Sequence, residues 1–464
     1  MRAASKPILA ATIVAFLLTT LCFSQSSLMV SPRSGPPTTE TDVSGRGFSP
    51  GAKIHIYFDS VPEGATVANS SGSFSNVAIE IPASATPGEH RVRAETSGGV
   101  GAQTLFRVNT NWAMFGFQSA GGRFNPYENQ LSASNVGGLE LSWTFADSPG
   151  YSSFAVADGV LYIASDEDAN LYALNASTGA KLWSSHIANS QSSPAVADGV
   201  VYIGSTDHNV YALNAGTGAV LWSFATGGFV DSSPSVANGV VYVGSDDYNV
   251  YALNAETGVK LWSFTTNGFA YASPTVANGL VYAASFGGEV YALNASTGDE
   301  VWSFTAEESV YSSPAVADGI VYFGCYYCDY IYAVDAASGE ELWTFGASGT
   351  FPFSSQAVWD GIVYAGSGDK NVYALDAKTG EELWTFTTGG GVESSPAVAN
   401  GVVYVGSYDF NLYALNAKTG EELWSFPTGN YIYSSPVVAN GMVYFGSGYV
   451  NTYAFSLPAG GKDK

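Results

Sequence analysis

A phrase of about 40 residues repeats along most of the chain, and this repeat limits the possible folds more than any other feature. Tryptophan marks the same position in each copy: Trp143, Trp183, Trp222, Trp262, Trp302, Trp343, Trp384 and Trp424. A fixed period of this length is typical of solenoids and propellers. One copy cannot bury both of its faces alone, so neighbouring copies must stack to form the core.

Each copy has the pattern of four short β-strands. An Asn-Gly or Asp-Gly pair such as Asn238-Gly239 separates the first two strands, and such pairs favour the type I′ turn of a two-residue hairpin. A Thr-Gly pair such as Thr379-Gly380 closes the third hairpin. The strand segments are rich in β-branched and aromatic residues. Four antiparallel strands per repeat predict a β-propeller blade.

The two ends of the repeat region complement each other. Trp143 lies on a fourth strand that has no first three before it, and three strands without a fourth follow Trp424. We therefore predict an all-β fold in which the N-terminal strand completes the last of eight blades and leaves no open edge. A linear β-solenoid with the same repeat is the structural alternative, although it has no need of complementary half-blades.

Composition excludes several function classes. The chain has 464 residues with 40 acidic and 16 basic side chains, a formal net charge of -24. A nucleic-acid backbone would be repelled, so nucleic-acid binding is not expected. Four His and three Cys leave little material for a zinc site or a His-based triad. We expect no catalytic residues and no metal ligands.

The first 24 residues have the pattern of a signal peptide. Arg2 and Lys6 form a basic start, an apolar run covers residues 8–21, and the small Ser24 closes it. The run is shorter than the roughly 20 residues of a comfortable membrane span. An uncleaved anchor and lipidation at Cys22 are the alternatives. We expect an exported protein, periplasmic, cell-envelope or extracellular, without a membrane span after cleavage.

The remaining chain divides by pattern. Residues 27–108 contain alternating segments separated by Gly- and Pro-rich turns, which predict a small antiparallel β-sandwich. Residues 109–138 form a linker or lead-in, residues 139–457 the propeller, and residues 458–464 a disordered tail. Ser44-Gly-Arg-Gly-Phe48, followed by Pro50-Gly51, resembles the opening of bacterial immunoglobulin-like modules of the IPT/TIG type. That resemblance implies a spacer or binding role.

The repeat itself resembles a known family. The phrase Ala173-x-Asn175-x-x-x-Gly179-x-x-x-Trp183 is similar to the tryptophan-docking motif of the pyrroloquinoline quinone (PQQ) repeat, and it occurs in seven intact copies. The role of the motif is structural. Each Trp can pack on the neighbouring blade, Asn or Asp can cap the turn, and Gly permits close approach. The eight tryptophans are thus predicted docking residues, and the motif predicts a fold without predicting PQQ binding or catalysis.

One position varies while the framework repeats. The residue just before each Ser-Ser-Pro phrase or its equivalent should line one face of the central channel: Tyr151, Gln191, Asp231, Tyr271, Tyr311, Phe353, Glu393 and Tyr433. Five aromatics, two carboxylates and an amide can stack on sugars or aromatic ligands, or hold a cation. The alternative is that they only fill or solvate the channel mouth. Asp231 and Glu393 should face each other across the axis, further apart than the two carboxylates of a glycosidase.

Cys325 and Cys328 form a Cys-Tyr-Tyr-Cys phrase in the second hairpin of the fifth blade. A disulfide that clips this hairpin in an oxidising compartment is the expected state. A redox-active pair would need a helix N-terminus to activate the thiolate, and a zinc site would need two more ligands.

The residues and the resemblance together predict a non-enzymatic binding or scaffold protein. We expect a monomer with a protein or carbohydrate ligand at the propeller face and no cofactor. Within the resemblance, the BamB outer-membrane assembly family implies a role in cell-envelope protein assembly. The PQQ- and calcium-dependent dehydrogenases of alcohols or sugars are the alternative. In that group many members carry a vicinal Cys-Cys disulfide and stack the quinone on a Trp, whereas this chain has no such pair and Trp359 is its only additional propeller Trp.

Overall fold

A computed structural model describes residues 26–146, 150–166, 168–349, 354–448 and 450–458. The predicted signal peptide, Phe353 and all of the predicted tail except residue 458 lie outside these residues. The chain divides into two compact units. Thr38–Pro82 and Glu89–Arg107 form the body of the first unit, and the second contains the chain from Val108 onward.

The first unit consists of β-strands, several of which have one buried face. They are β1 (Ser27–Ser31), β2 (Ser34–Gly35), β3 (Glu40–Arg46), β4 (Lys53–Phe58), β5 (Val61–Val67), β6 (Ser73–Glu80), β7 (Gly88–Thr96) and β8 (Gly99–Val108). They form a three-stranded sheet of order β1-β3-β6 and a five-stranded sheet of order β2-β8-β7-β4-β5. Along β4, Ile54, Ile56 and Phe58 are buried while Lys53 and His55 are exposed. This alternation is typical of an antiparallel sheet with one solvated face.

The second unit is built from short strands of repeating length, with one 3-10 turn at Val136–Gly138. The strands are β9 (Phe124–Asn125), β10 (Glu140–Ala146), β11 (Ala155–Ala157), β12 (Val160–Ala164), β13 (Asn170–Asn175), β14 (Lys181–His186), β15 (Ala195–Ala197), β16 (Val200–Gly204), β17 (Asn209–Asn214), β18 (Val220–Ala225), β19 (Ser235–Ala237), β20 (Val240–Gly244), β21 (Asn249–Asn254), β22 (Lys260–Thr265), β23 (Thr275–Ala277), β24 (Leu280–Ala284), β25 (Glu289–Asn294), β26 (Glu300–Thr305), β27 (Ala315–Ala317), β28 (Ile320–Gly324), β29 (Tyr330–Asp335), β30 (Glu341–Gly346), β31 (Ala357–Trp359), β32 (Ile362–Gly366), β33 (Asn371–Asp376), β34 (Glu382–Thr387), β35 (Ala397–Ala399), β36 (Val402–Gly406), β37 (Asn411–Asn416), β38 (Glu422–Pro427), β39 (Val437–Ala439), β40 (Met442–Ser447) and β41 (Asn451–Ser456).

These strands form repeated four-stranded sheets. Six sheets take four consecutive strands each, from β11-β12-β13-β14 to β31-β32-β33-β34. A further sheet has the order β38-β37-β36-β35-β9, in which the short β9 pairs in parallel with the innermost strand. The last sheet, of order β10-β41-β40-β39, combines strands from the two ends of the unit, with Glu140 opposite Ser456 and Ala146 opposite Asn451. The prediction of an all-β fold is confirmed.

The turn between the first two strands of each sheet follows from its sequence. In the third repeat Asn238 has φ 50 and Gly239 has φ 75. Positive φ at both central residues is the requirement of a type I′ turn, and Asn-Gly meets it at low cost. The third and fourth strands of the same repeat pair with each other, and the register of that pairing shifts between Ala252 and Leu253, as at a β-bulge.

Neighbouring sheets are held together by their aromatic residues. The Trp262 Nε1–H donates to the carbonyl of Ala295 in the next sheet at 3.0 Å, and the Tyr242 hydroxyl donates to the same carbonyl at 3.2 Å. The Trp262 ring also lies over Gly298, where an added Cβ would approach ring atoms to 2.7 Å. A larger residue than Gly would therefore push the tryptophan off its neighbour.

Candidate functional site

The variable positions predicted to line the channel converge on one pocket. Of the eight, the seven that lie in the described part of the chain all line it: Tyr151, Gln191, Asp231, Tyr271, Tyr311, Glu393 and Tyr433. We call this cavity the mouth pocket. Each of these residues stands just before an innermost strand, which explains why a ring of sheets brings them together. The cavity volume is about 80 Å³, so it accommodates a small group rather than a drug-sized ligand.

The floor of the mouth pocket is a closed circuit of serine hydrogen bonds, here called the serine ring. In each sheet the backbone N–H of one serine donates to the Oγ of its counterpart in the next sheet, at 2.9–3.0 Å. The members are Ser153, Ser193, Ser233, Ser273, Ser313, Ser355, Ser395 and Ser435. The bond from Ser435 to Ser153 joins the last sheet to the first. Serine is suited to this position because it is small and because its hydroxyl accepts a hydrogen bond from a backbone N–H of the neighbouring sheet.

Residues 112–125, here called the inserted segment, run along the innermost strands. The middle residue of an inner strand donates its N–H to this segment in six sheets, at 2.6–3.0 Å, with Val156, Val196, Val276, Val316, Val358 and Val398 as donors. The acceptors are the carbonyls of Trp112, Ala113, Ser119, Ala120, Gly122 and Arg123. Phe115 reaches the mouth pocket and forms part of its lining. The sequence predicted only a lead-in here, because backbone bonds of this kind leave no residue pattern.

Arg123 anchors the inserted segment and was not singled out by its sequence. Its guanidinium donates to the carbonyls of Pro396 at 2.8 Å, Phe115 at 2.6 Å and Pro436 at 3.1 Å. It also lies over the rings of Trp112 and Phe115, 5.6 and 4.6 Å from their centroids. Complete burial lowers the pKa of Arg123 to about 9, since desolvation disfavours the charged form.

The two carboxylates of the mouth pocket are both desolvated. Burial, followed by the nearby charges of Asp246 and Asp166, raises the pKa of Asp231 to about 7. Its Oδ1 is buried and has no hydrogen-bond partner among the described residues. Burial also raises the pKa of Glu393, which accepts a hydrogen bond from the Tyr408 hydroxyl. Asp231 thus lacks the compensation that a buried carboxylate normally has, whereas Glu393 has one hydrogen bond.

Aromatic rings surround these carboxylates. The Tyr271 hydroxyl donates to the Gln191 Oε1 at 2.9 Å. The rings of Tyr151 and Tyr433 lie 4.9 Å apart between centroids, and those of Tyr271 and Tyr311 lie 5.2 Å apart. Tyrosine rings therefore line the pocket together with the two acidic groups.

A row of rings continues outward from the pocket. Tyr248 stacks on Phe269 at 5.1 Å, Phe269 lies 6.1 Å from Phe286, and Phe286 meets Tyr311 edge-on at 5.0 Å. We call these four residues the aromatic strip. Tyr248 and Phe269 are exposed. Sequence reasoning missed the strip because its outer members lie in loops whose residues do not repeat from copy to copy.

The Cys-Tyr-Tyr-Cys hairpin lies beside the strip. The Cα atoms of Cys325 and Cys328 are 5.7 Å apart, within the range of a disulfide. Between them, Tyr326 meets Tyr311 edge-on at 4.9 Å, and Tyr327 is exposed. The hairpin thus presents two tyrosines next to the pocket.

Two features of the mouth pocket bear on the dehydrogenase alternative. Within the described ranges, no group of three or more His, Cys, Asp or Glu side chains is placed to hold a metal ion. No Trp is among the residues that line the pocket. Trp359 stands at the far end of β31, where Phe124 and Lys418 contact its ring at 6.1 and 5.8 Å. The oxygen-bearing side chains that line the mouth pocket include Asp231, Glu393 and Gln191.

Comparison with known proteins identifies the repeat. The family described as outer membrane protein assembly factor BamB matches residues 129–228, 167–273, 268–324 and 329–463. No curated protein shows a significant match to the chain. Outside residues that the structure leaves undescribed, no helix has the length and apolar character of a membrane span.

Solved structures share the fold. Quinohemoprotein alcohol dehydrogenase ADHIIG from Pseudomonas putida HK5 is 19% identical with a TM-score of 0.67, over 76% of this chain and 81% of that chain. The corresponding enzyme from Comamonas testosteroni is 16% identical with a TM-score of 0.66, over 76% and 81%. BamB from Moraxella catarrhalis is 19% identical with a TM-score of 0.60, over 70% of this chain and 99% of that chain. The prediction of a PQQ-repeat propeller is confirmed, and at these identities the likeness shows the fold alone.

Proposed function

This chain belongs to the outer membrane protein assembly factor BamB family, and from that premise we propose that it is an exported, non-enzymatic binding protein whose ligand enters the mouth pocket. The observation that carries the proposal is the convergence of the variable repeat positions on one cavity. A position that varies while its framework repeats is free of the packing constraint on the framework. Binding residues are commonly placed on loops that a rigid scaffold positions.

The scaffold in this proposal is an eight-bladed propeller. Its support is the serine ring, which passes once through each repeated sheet and returns to its starting point. The pairing of β10 with β41 supplies the same closure at the outer edge. An open solenoid would have neither the hydrogen bond from Ser435 to Ser153 nor the pairing of β10 with β41.

The first unit serves in this proposal as an immunoglobulin-like module. Its support is the antiparallel arrangement of two sheets and the opening phrase at Ser44–Phe48. Residues 1–24 would direct export, and the mature protein would act in the periplasm, the cell envelope or outside the cell. As in the BamB resemblance, its ligand would be a protein of the envelope, with a carbohydrate as the other candidate.

The test compares binding by matched variants of the full chain. Wild type, Tyr311→Ala and the exposed outer-strand control Leu261→Ala would be applied to peptide and oligosaccharide arrays, with melting temperatures measured in parallel. We expect Tyr311→Ala to lose a ligand that the other two retain, with little change in melting temperature. If Tyr311→Ala alters stability but no binding signal, the ring only fills the channel mouth.

The quinoprotein dehydrogenase is the rival, and structural likeness to two alcohol dehydrogenases favours it. The purified chain would be dialysed against PQQ and calcium, then assayed for quinone absorbance and for dye reduction with alcohols and sugars. Stoichiometric uptake of PQQ would overturn the non-enzymatic proposal. We expect no uptake, because the pocket is small and offers no cluster of metal ligands among the described residues.

A further inference from the structure

The mouth pocket holds acidic groups without any basic counterpart. Among the residues that line it, none is Lys, Arg or His. Asp231 contributes a buried oxygen that no described residue contacts by a hydrogen bond, and Glu393 enters from the seventh repeat, four repeats away around the ring. A desolvated carboxylate gains most from a partner of opposite charge, because the pocket has already removed its water.

Aromatic faces complete the acidic lining. Tyr151, Tyr271, Tyr311 and Tyr433 line the same cavity. An ammonium or guanidinium group within about 6 Å of such ring centroids is attracted by their quadrupoles, and cages of this kind are a recurrent way of binding organic cations. Tyrosines and two carboxylates, with no basic side chain among the lining residues, match a cationic head group better than a neutral ring.

We propose that the mouth pocket receives the cationic end of a lysine or arginine side chain that projects from a partner polypeptide. The inference rests on the proposed function of the mouth pocket as the ligand site and adds the chemical class of the ligand. The side-chain head would lie between Asp231 and Glu393, and its aliphatic stem would pass the tyrosines. The cavity of about 80 Å³ is too small for a peptide backbone with its side chains, so the chain of the partner must stay outside.

The aromatic strip provides a place for the rest of that partner. Tyr248 and Phe269 expose 46% and 40% of their surface, and the strip runs from them to Tyr311 at the pocket. A residue beside the inserted Lys or Arg can lay an apolar or aromatic side chain on these rings. The formal net charge of -24 draws a basic segment toward the protein from a distance. The occupant is therefore a basic segment of a protein, with at least one apolar neighbour next to its cationic residue.

Calorimetry with charged and neutral isosteres tests this inference directly. The full chain would be titrated with the blocked pentapeptide Ser-Phe-Arg-Phe-Ser and with the same peptide carrying citrulline, which replaces the guanidinium by a neutral urea. Variants Asp231→Asn and Glu393→Gln remove one charge each. Asp198→Asn is the matched control, because Asp198 is an exposed turn residue in a position where other repeats carry Asn.

We expect the arginine peptide to bind at least tenfold more tightly than the citrulline peptide at low salt. Asp231→Asn and Glu393→Gln should each weaken binding about tenfold, Asp198→Asn should leave it unchanged, and Phe269→Ala should weaken the pentapeptide but not blocked arginine alone. Raising the salt should reduce the affinity of the arginine peptide.

Equal binding of the two peptides, or no binding of the arginine peptide at millimolar concentration, would overturn the inference of a cationic ligand. In that case binding of a neutral oligosaccharide that is lost in Tyr311→Ala would leave the proposed function standing. If Tyr311→Ala changes the binding of no peptide or oligosaccharide, the proposed function fails as well.

Discussion

Replacing Asp231 by Asn should make the free protein more stable at neutral and alkaline pH. In the folded chain the pKa of Asp231 is raised from 3.8 to about 7 by burial and then by Asp246 and Asp166. As pH rises from about 4 to 7, the unfolded chain releases this proton while the folded chain retains it. The stability of the wild type therefore falls across this window and is level above it.

The size of the effect follows from the shift. About three pKa units at about 1.4 kcal/mol each give an upper limit of about 4 kcal/mol. Asp231 is partly exposed, and salt screens the charges of the neighbouring carboxylates, so the real effect is smaller than this limit. We expect Asp231→Asn to raise the free energy of unfolding by about 1–3 kcal/mol at pH 8 and by almost nothing at pH 4.

Urea unfolding followed by tryptophan fluorescence measures this difference. All ten Trp residues lie at or after Trp112, so the signal reports on the second unit alone. Asp198→Asn serves as the control for the loss of an exposed carboxylate. An Asp231→Asn variant that is less stable than wild type at pH 8, or whose difference from wild type is the same at both pH values, would refute the reasoning.

Three further substitutions test the scaffold. Ser193→Ala removes the acceptor of a buried N–H in the serine ring and should cost about 1–3 kcal/mol in urea unfolding, whereas the exposed Ser303→Ala should change it by less than about 0.5 kcal/mol. Asp335→Ala should lower stability by about 1 kcal/mol because Asp335 accepts two backbone N–H bonds in its turn, while Asp335→Asn, the residue of five other repeats, should be neutral. Gly121→Ala should loosen the inserted segment to limited proteolysis, because Gly121 has φ +73 and its added Cβ would come within 2.7 Å of a side-chain oxygen. Gly122→Ala, with no atom within 4 Å, should not.

The repeat made most of the second unit predictable. Each local signal, such as the Asn238-Gly239 turn, occurs in every copy and agrees with the strand pattern around it, so local and global preferences point to the same structure. The repeat also made the convergence of the variable positions predictable, since equivalent positions in a ring of equivalent sheets must meet at the axis.

The rest depends on residues outside the repeat. The inserted segment has no period, and its partners lie up to 313 residues away, as with Arg123 and Pro436. In the sequence Arg123 has no feature that distinguishes it from a surface cation, because the carbonyls that accept its hydrogen bonds belong to distant residues. The aromatic strip is built from loop residues such as Phe269 and Phe286, whose proximity depends on the angle between neighbouring sheets rather than on a motif.

The pairing of β10 with β41 has a consequence for the order in which the chain is completed. β10 is made early, but its partner is made only after some 300 further residues. During synthesis or export the place beside β10 must therefore remain vacant until β41 is made, with the edge of β10 open to other strands. A chain that stops short of Asn451 would carry its defect at Glu140–Ala146, far from the missing residues in sequence. The edge of β10 therefore needs protection until β41 is made, although in the folded protein that edge is paired.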